Sequence, residues 1–339
     1  MERLLECPKH MDFGPCGGVA FDGSCEVSPS RCVFLDLPTV RWDGPALRQP
    51  GESAMRRRLR ERQVVVADFP ARALDASSIA ECGGILAGHV DAVLAGDAGN
   101  ARVQFSPAYR ASLIRASGVD VWTGLNCRDR NRVALEGELA ALADAGVAGV
   151  HCVTGDHTLT GDRPDAAPVF DLDSTELAAL ARAAGHLVSV AEAPATPPVN
   201  RRPDRLLEKM RAGAEVCFVN HAGGVAPVRE FIDRAQQLGV VMAFIPCVPV
   251  VVDRESAALL ESFTTLVLPE GYLARILAAA DPFTEGIAAA VELSQELLEL
   301  DGVRGVDLSG GTSAGREAWF AEALATISGN VGAGSKEIE

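Results

Sequence analysis

From residue 63 onward, short β-branched runs alternate with Ala- and Leu-rich stretches of helical spacing, and this alternation narrows the choice of fold most. Strands are predicted at 64–69, 91–95, 119–126, 149–154, 187–191, 215–220, 240–245 and 305–308. Helical spacing falls between them, as at 131–145, 174–184, 205–212, 228–238 and 283–300. Such alternation implies βαβ units and a parallel sheet. Eight strands over about 265 residues match the size of an α/β chain of the (β/α)8 TIM-barrel class. A doubly wound sheet is the alternative, but no Gly-x-Gly-x-x-Gly follows the first strand. Composition agrees with a barrel. Apolar residues make up 48% and aromatic ones only 5%, which suits parallel strands buried under small-residue helices.

The barrel pattern leaves a cysteine-rich segment ahead of it. Four of the nine cysteines occur as Cys7-x8-Cys16-x8-Cys25-x6-Cys32. Four thiolates suit a closed tetrahedral zinc site, and the intervening glycines and prolines let a short chain bend around one. Lys9 and Arg31 offer charge to offset a tetrathiolate. The same ligands could hold an iron–sulfur cluster, or some of the four could be ordinary buried thiols. The expected organisation is a four-cysteine metal-binding module at 1–45, a connector at 46–62, the barrel at 63–328 and a flexible tail at 329–339.

The formal net charge of −15 argues against nucleic-acid partners. The one basic cluster, Arg56 to Arg62, is expected to be a solvated helix face. The sequence offers no apolar run of membrane-spanning length and no secretory leader pattern. A cytoplasmic location without membrane contact is therefore expected. There the thiols stay reduced, and cysteines serve metal binding or burial rather than disulfides.

In a (β/α)8 barrel the chemistry sits at the C-terminal strand ends. Those ends read Ala67-Asp68, Gly96-Asp97, Asn126-Cys127-Arg128-Asp129-Arg130-Asn131-Arg132, Thr154-Gly155-Asp156-His157, Glu192, Asn220-His221 and Pro246-Cys247. The three arginines could grip a phosphate or carboxylate, or pair with Asp129 and Asp162 to fix loops. His157 and His221 are candidate acid–base groups.

Several of these stretches resemble the methylenetetrahydrofolate reductase family, in its acetogen and archaeal-type branch. They are 90–97 running on to Cys127-Arg-Asp-Arg-Asn-Arg132, the 150–157 segment with its Gly-Asp-His, and Lys209-Met-Arg-Ala-Gly-Ala214. Cys7-Pro-Lys-His-Met-Asp-Phe-Gly-Pro-Cys-Gly-Gly18 resembles the zinc-binding domain that accompanies such reductases. The resemblance implies a barrel that reduces 5,10-methylenetetrahydrofolate with NAD(P)H, with FAD as the usual intermediary. It further implies zinc at Cys7, Cys16, Cys25 and Cys32. Asp156 would lie by flavin and pterin, Asn220 would replace a pterin-binding glutamine, and Lys209 would sit near the flavin phosphate. Asp97 is a further cofactor-side candidate.

The family's general-acid glutamate falls on Ala67, with Asp68 next to it. Neighbouring strand residues face opposite ways, so Asp68 is expected to substitute only if the strand bulges or ends there. The fifth-strand loop, 191–198, lacks the tyrosine and histidine of flavin-binding members, which points to a site without flavin. The leading expectation is an oxidoreductase acting on a tetrahydrofolate substrate, with Asp68, Asp156 and His221 as catalytic candidates. The alternatives are a folate-dependent one-carbon transferase and a non-catalytic subunit docking on a partner. A homo-oligomer is a further expectation.

Overall fold

A computed structural model describes residues 7–45, 49–97, 101–263 and 265–332. The N-terminal segment holds a short antiparallel hairpin, β1 (Ser24–Cys25) with β2 (Ser28–Arg31). Helix α1 (Ala54–Glu61) follows. Then come β3 (Val64–Asp68), β4 (Ala92–Ala95), β5 (Val121–Asn126), β6 (Gly149–Val153), β7 (Val188–Glu192), β8 (Val216–Val219), β9 (Ala243–Pro249) and β10 (Gly305–Ser309). All eight are parallel, and β10 pairs with β3 to close the barrel. The helices around it are α2 (Ala76–Leu86), α3 (Pro107–Ala116), α4 (Arg132–Ala145), α5 (Ser174–Ala183), α6 (Arg202–Arg211), α7 (Val225–Gln237), α8 (Arg254–Glu261), α9 (Tyr272–Ala278), α10 (Pro282–Leu298) and α11 (Glu317–Gly332).

Strand parity builds two cores. Val64, Val66, Ala92, Trp122, Val216, Phe218 and Ile245 fill the lumen. Val65, Ala67, Val93, Val121, Val150 and Val190 pack outward against the helices. Trp122 meets Phe218 edge-on at 5.3 Å. Gly149 makes room for it, since a Cβ there would stand 2.6 Å from the indole.

Helix α1 closes the base of the barrel. Its Met55 and Leu59, one turn apart, join the lumen core. Here the basic cluster departs in part from a solvated face: Arg57, Arg60 and Arg62 are exposed, but others turn inward. Arg56 is buried and grips Glu215 bidentately at 2.8 and 3.0 Å. Arg58 reaches Asp120 and Arg62 reaches Asp91. The arginines therefore moor the plug to the strand bases.

Some boundaries also shift. The seventh barrel strand starts at Ala243 rather than 240, because Val240 still donates to Ala235 in the cap that ends α7. It runs on to Pro249, which takes Cys247 off the rim and into the barrel. Helix α11 extends to Gly332, into the stretch expected as tail, and residues 333–339 lie outside the described residues.

Candidate functional site

The C-terminal strand ends open onto two adjoining cavities of about 300 and 480 Å³. Asp97, Asn126, Asp156, Glu192, Lys209 and Asn220 border the first, together with Lys9 and Met11 of the cysteine segment. Asp68, Ser309 and Gly310 border the second. Gly96, Asp97 and His151 border both. Five of the residues expected at the site, Asp68, Asp97, Asp156, Lys209 and Asn220, thus converge on one mouth.

Asp68 ends β3 on the lumen side, and no bulge is needed. Ala67, where the family acid was expected, is the helix-facing residue, packed with Ile79 and Cys82. The inward position at this strand end is Asp68. Its carboxylate accepts from Ser309 Oγ at 2.8 Å and from the Gly310 N–H at 3.1 Å. Burial pushes its pKa up to about 6, against the pull of those two bonds.

One lumen layer deeper lies Asp307, 1% exposed. Cys247 Sγ stands 3.5 Å from its Oδ2, and Oδ1 is buried without a partner among the described residues. Burial raises its pKa well above the carboxylate range, and the charge of Asp68 adds to the effect. The folded chain therefore keeps a proton here at pH values where the unfolded chain, with an aspartate pKa of about 3.9, has released it. Stability contributed by this group is whole at acid pH and is lost as pH rises toward the folded pKa. Asp307→Asn is thus expected to melt above the wild type at pH 8 and together with it at pH 4. Equal melting temperatures at both pH values would show Asp307 ionised in the native chain.

The remaining expected residues divide. Asp97 is held by Gln104 at 2.8 Å, Asn126 at 3.0 Å and Arg128 at 2.9 Å. Arg128 is fully buried, also grips Asp129, and so fixes loops rather than a ligand. Arg132 pairs with Glu136, and Asp162 accepts from the Arg102 N–H. Asp156 is exposed at the cavity edge. Lys209 Nζ is buried, 2.5 Å from Glu192 Oε1 and 2.6 Å from the Ala191 carbonyl. His221 borders neither cavity. Its Nε2 is buried without a partner among the described residues, and burial lowers its pKa to about 4. His157 accepts from the Leu159 N–H and serves its own turn.

The sequence reading missed His151, Glu26 and Asp307, and also Arg205, which borders the first cavity and pairs with the buried Asp173. His151 and Asp307 carry a usable signal, since each is a polar residue at lumen parity inside an apolar strand. Burial drives the His151 pKa down to about 3, so its imidazole is neutral.

The four N-terminal cysteines are free thiols, each half-buried. Burial pushes the Cys32 pKa up to about 11, with added repulsion from Cys16, Cys7 and Cys25. Among the described residues, no group of three or more His, Cys, Asp or Glu is drawn together to hold a metal ion. Nor is any helix there long and apolar enough to cross a membrane.

Comparison with known proteins supplies the remaining findings. No curated protein matches the chain significantly by sequence. Among solved structures, an uncharacterized protein from Clostridium thermocellum, which binds two copies of 5-methyl-5,6,7,8-tetrahydrofolic acid, is similar with a TM-score of 0.60 at 11% identity. The match covers 81% of this chain and 99% of that one. A 2,3-dimethylmalate lyase of the PEP mutase/isocitrate lyase superfamily follows with a TM-score of 0.46 at 16% identity, covering 75% of this chain and 79% of that one. Residues 3–40 match the family described as methylene-tetrahydrofolate reductase C terminal. The chain is thus similar to the methylenetetrahydrofolate reductase family, with a segment like that family's C-terminal part ahead of a (β/α)8 barrel.

Proposed function

We propose that the barrel mouth binds a reduced folate and that the chain is a methylenetetrahydrofolate reductase-like oxidoreductase of one-carbon metabolism. The observation that carries this reading is Asp68, a carboxyl of raised proton affinity in a cavity that adjoins the one bordered by Asp97, Asp156 and Asn220. NAD(P)H would supply the hydride to the one-carbon unit of 5,10-methylenetetrahydrofolate. As the carbon–N10 bond opens, N10 needs a proton. Asp68 supplies it as general acid, and water returns it afterwards. Asn220 and Asp156 hold the pterin, and Asp97 keeps Asn126 and Arg128 in place.

A flavin does not fit these residues. Lys209, the candidate for its phosphate, is committed to Glu192 inside the wall. The loop after β7 offers no ring to stack on. The hydride is therefore proposed to pass directly between nicotinamide and folate.

Zinc is proposed for Cys7, Cys16, Cys25 and Cys32 on the chemistry of the donor set. No step is routed through it. Metal analysis of the purified protein is expected to give stoichiometric zinc. Iron with visible absorbance would replace zinc by a cluster, and no metal at all would remove the site.

A second reading, folate-dependent one-carbon transfer, draws on the methyltetrahydrofolate bound by the Clostridium protein. NAD(P)H oxidation on addition of methylenetetrahydrofolate separates the two, since transfer consumes no reductant. Asp156→Ala is expected to weaken folate binding about tenfold or more, the loss of a charged hydrogen-bond partner. Calorimetry reads the effect, and unchanged affinity would take Asp156 out of the site.

A further inference from the structure

The cysteine segment does more than precede the barrel. It sits on the mouth, and Lys9, Met11, Pro15 and Cys16 border the same cavity as Asn126 and Asp156. Several anchors seat it there. His10 Nδ1 lies 3.2 Å from the Phe170 carbonyl, the Phe13 N–H donates to Asp173, and Arg202 donates to the Cys16 carbonyl at 3.1 Å. None of these anchors involves a cysteine sulfur.

Lys9 is the unusual member of this wall. It is 4% exposed, and burying an ammonium is costly unless it is paired. Glu26 pairs with it at 2.7 Å. The same carboxylate oxygen accepts the His157 N–H at 2.8 Å. Glu26 therefore ties Lys9 to the turn that carries Asp156, which borders the same cavity. An ammonium has three donors. Among the described residues Glu26 is its one ion-pair partner, which leaves donors for the cavity that Lys9 borders.

A reduced pterin presents a lactam edge, with a ring N–H and an exocyclic amine beside a carbonyl oxygen. A carboxylate next to an ammonium complements that edge. We propose that the cysteine segment is a working wall of the ligand site, and that Lys9 donates to the pterin carbonyl while Asp156 accepts from the neighbouring N–H groups. This rests on the folate reading above and adds the residue that reads the ring.

Calorimetric titration of the full chain with 5-methyltetrahydrofolate, and with 6-methyltetrahydropterin, which lacks the aminobenzoylglutamate tail, tests it. Lys9→Met is expected to weaken both ligands about tenfold or more, with metal content unchanged. Lys9→Met also leaves Glu26 unpaired, so Lys9→Met/Glu26→Gln is measured beside it. That pair of changes removes both charges and keeps an acceptor for the His157 N–H. Its melting temperature is expected to stay near the wild type while the affinity loss persists. If the wild type binds and the double variant binds both ligands equally well, Lys9 is not a ligand contact. If only the tailed ligand weakens, Lys9 reads the tail and the ring assignment falls. If the wild type binds neither ligand, the folate reading fails and takes this proposal with it.

Discussion

Asp68→Asn is expected to lower turnover about a hundredfold or more, in the range for loss of a general acid, while folate affinity is preserved. Asn keeps the shape and still accepts from Ser309 and Gly310, but it carries no transferable proton. The pH profile is the sharper readout. Asp68 must be protonated to act, and burial places its pKa at about 6. In the wild type, kcat/KM should therefore fall as pH rises through about 6. The Asn variant should lack that limb. Full turnover in Asp68→Asn, or an unaltered profile, would assign the proton to another group.

Glu192→Gln carries the largest expected cost in stability. Glu192 is 2% exposed and neutralises two buried cations, Lys209 at 2.5 Å and Arg202 at 3.7 Å. Carbonyls of Ala191, Thr196 and Pro197 also accept from these two cations, but carbonyls do not cancel charge. Removing one member of a buried ionic group costs about 3–5 kcal/mol, because the partner charge stays behind. Chemical denaturation at neutral pH should show a loss of that size. Glu192→Gln/Lys209→Met should recover part of it, since the stranded ammonium is gone. A loss below about 1 kcal/mol would mean that water already reaches the pair and screens it.

The barrel was legible because its strands are buried on both faces and therefore read as apolar runs with little interruption. The lumen was harder. Whether Ala67 or Asp68 faces inward depends on one step of parity, which the sequence alone left open. Only the partition of Val64 and Val66 from Val65 and Ala67 decides it. His151 and Asp307 could have been found the same way, as polar residues at lumen parity among cysteine, valine and leucine, once that parity is known. Lys9 was legible only as a charge near the cysteines, and its pairing with Glu26 was not legible at all. Their place at the mouth arises from contacts across more than a hundred residues of chain, which no local pattern records.

The seating of the cysteine segment has a consequence for how the chain is made. Residues 7–45 leave the ribosome before the barrel does, and their anchors on it come about 160 residues later. Contacts of such separation close late, after the intervening strands have ordered. Through much of synthesis the four thiols therefore wait without their docking surface, open to metal loading and equally open to oxidation. The order of assembly makes capture of the segment the final check on the mouth: a barrel whose loops after β6 and β7 are misplaced has nowhere to put it.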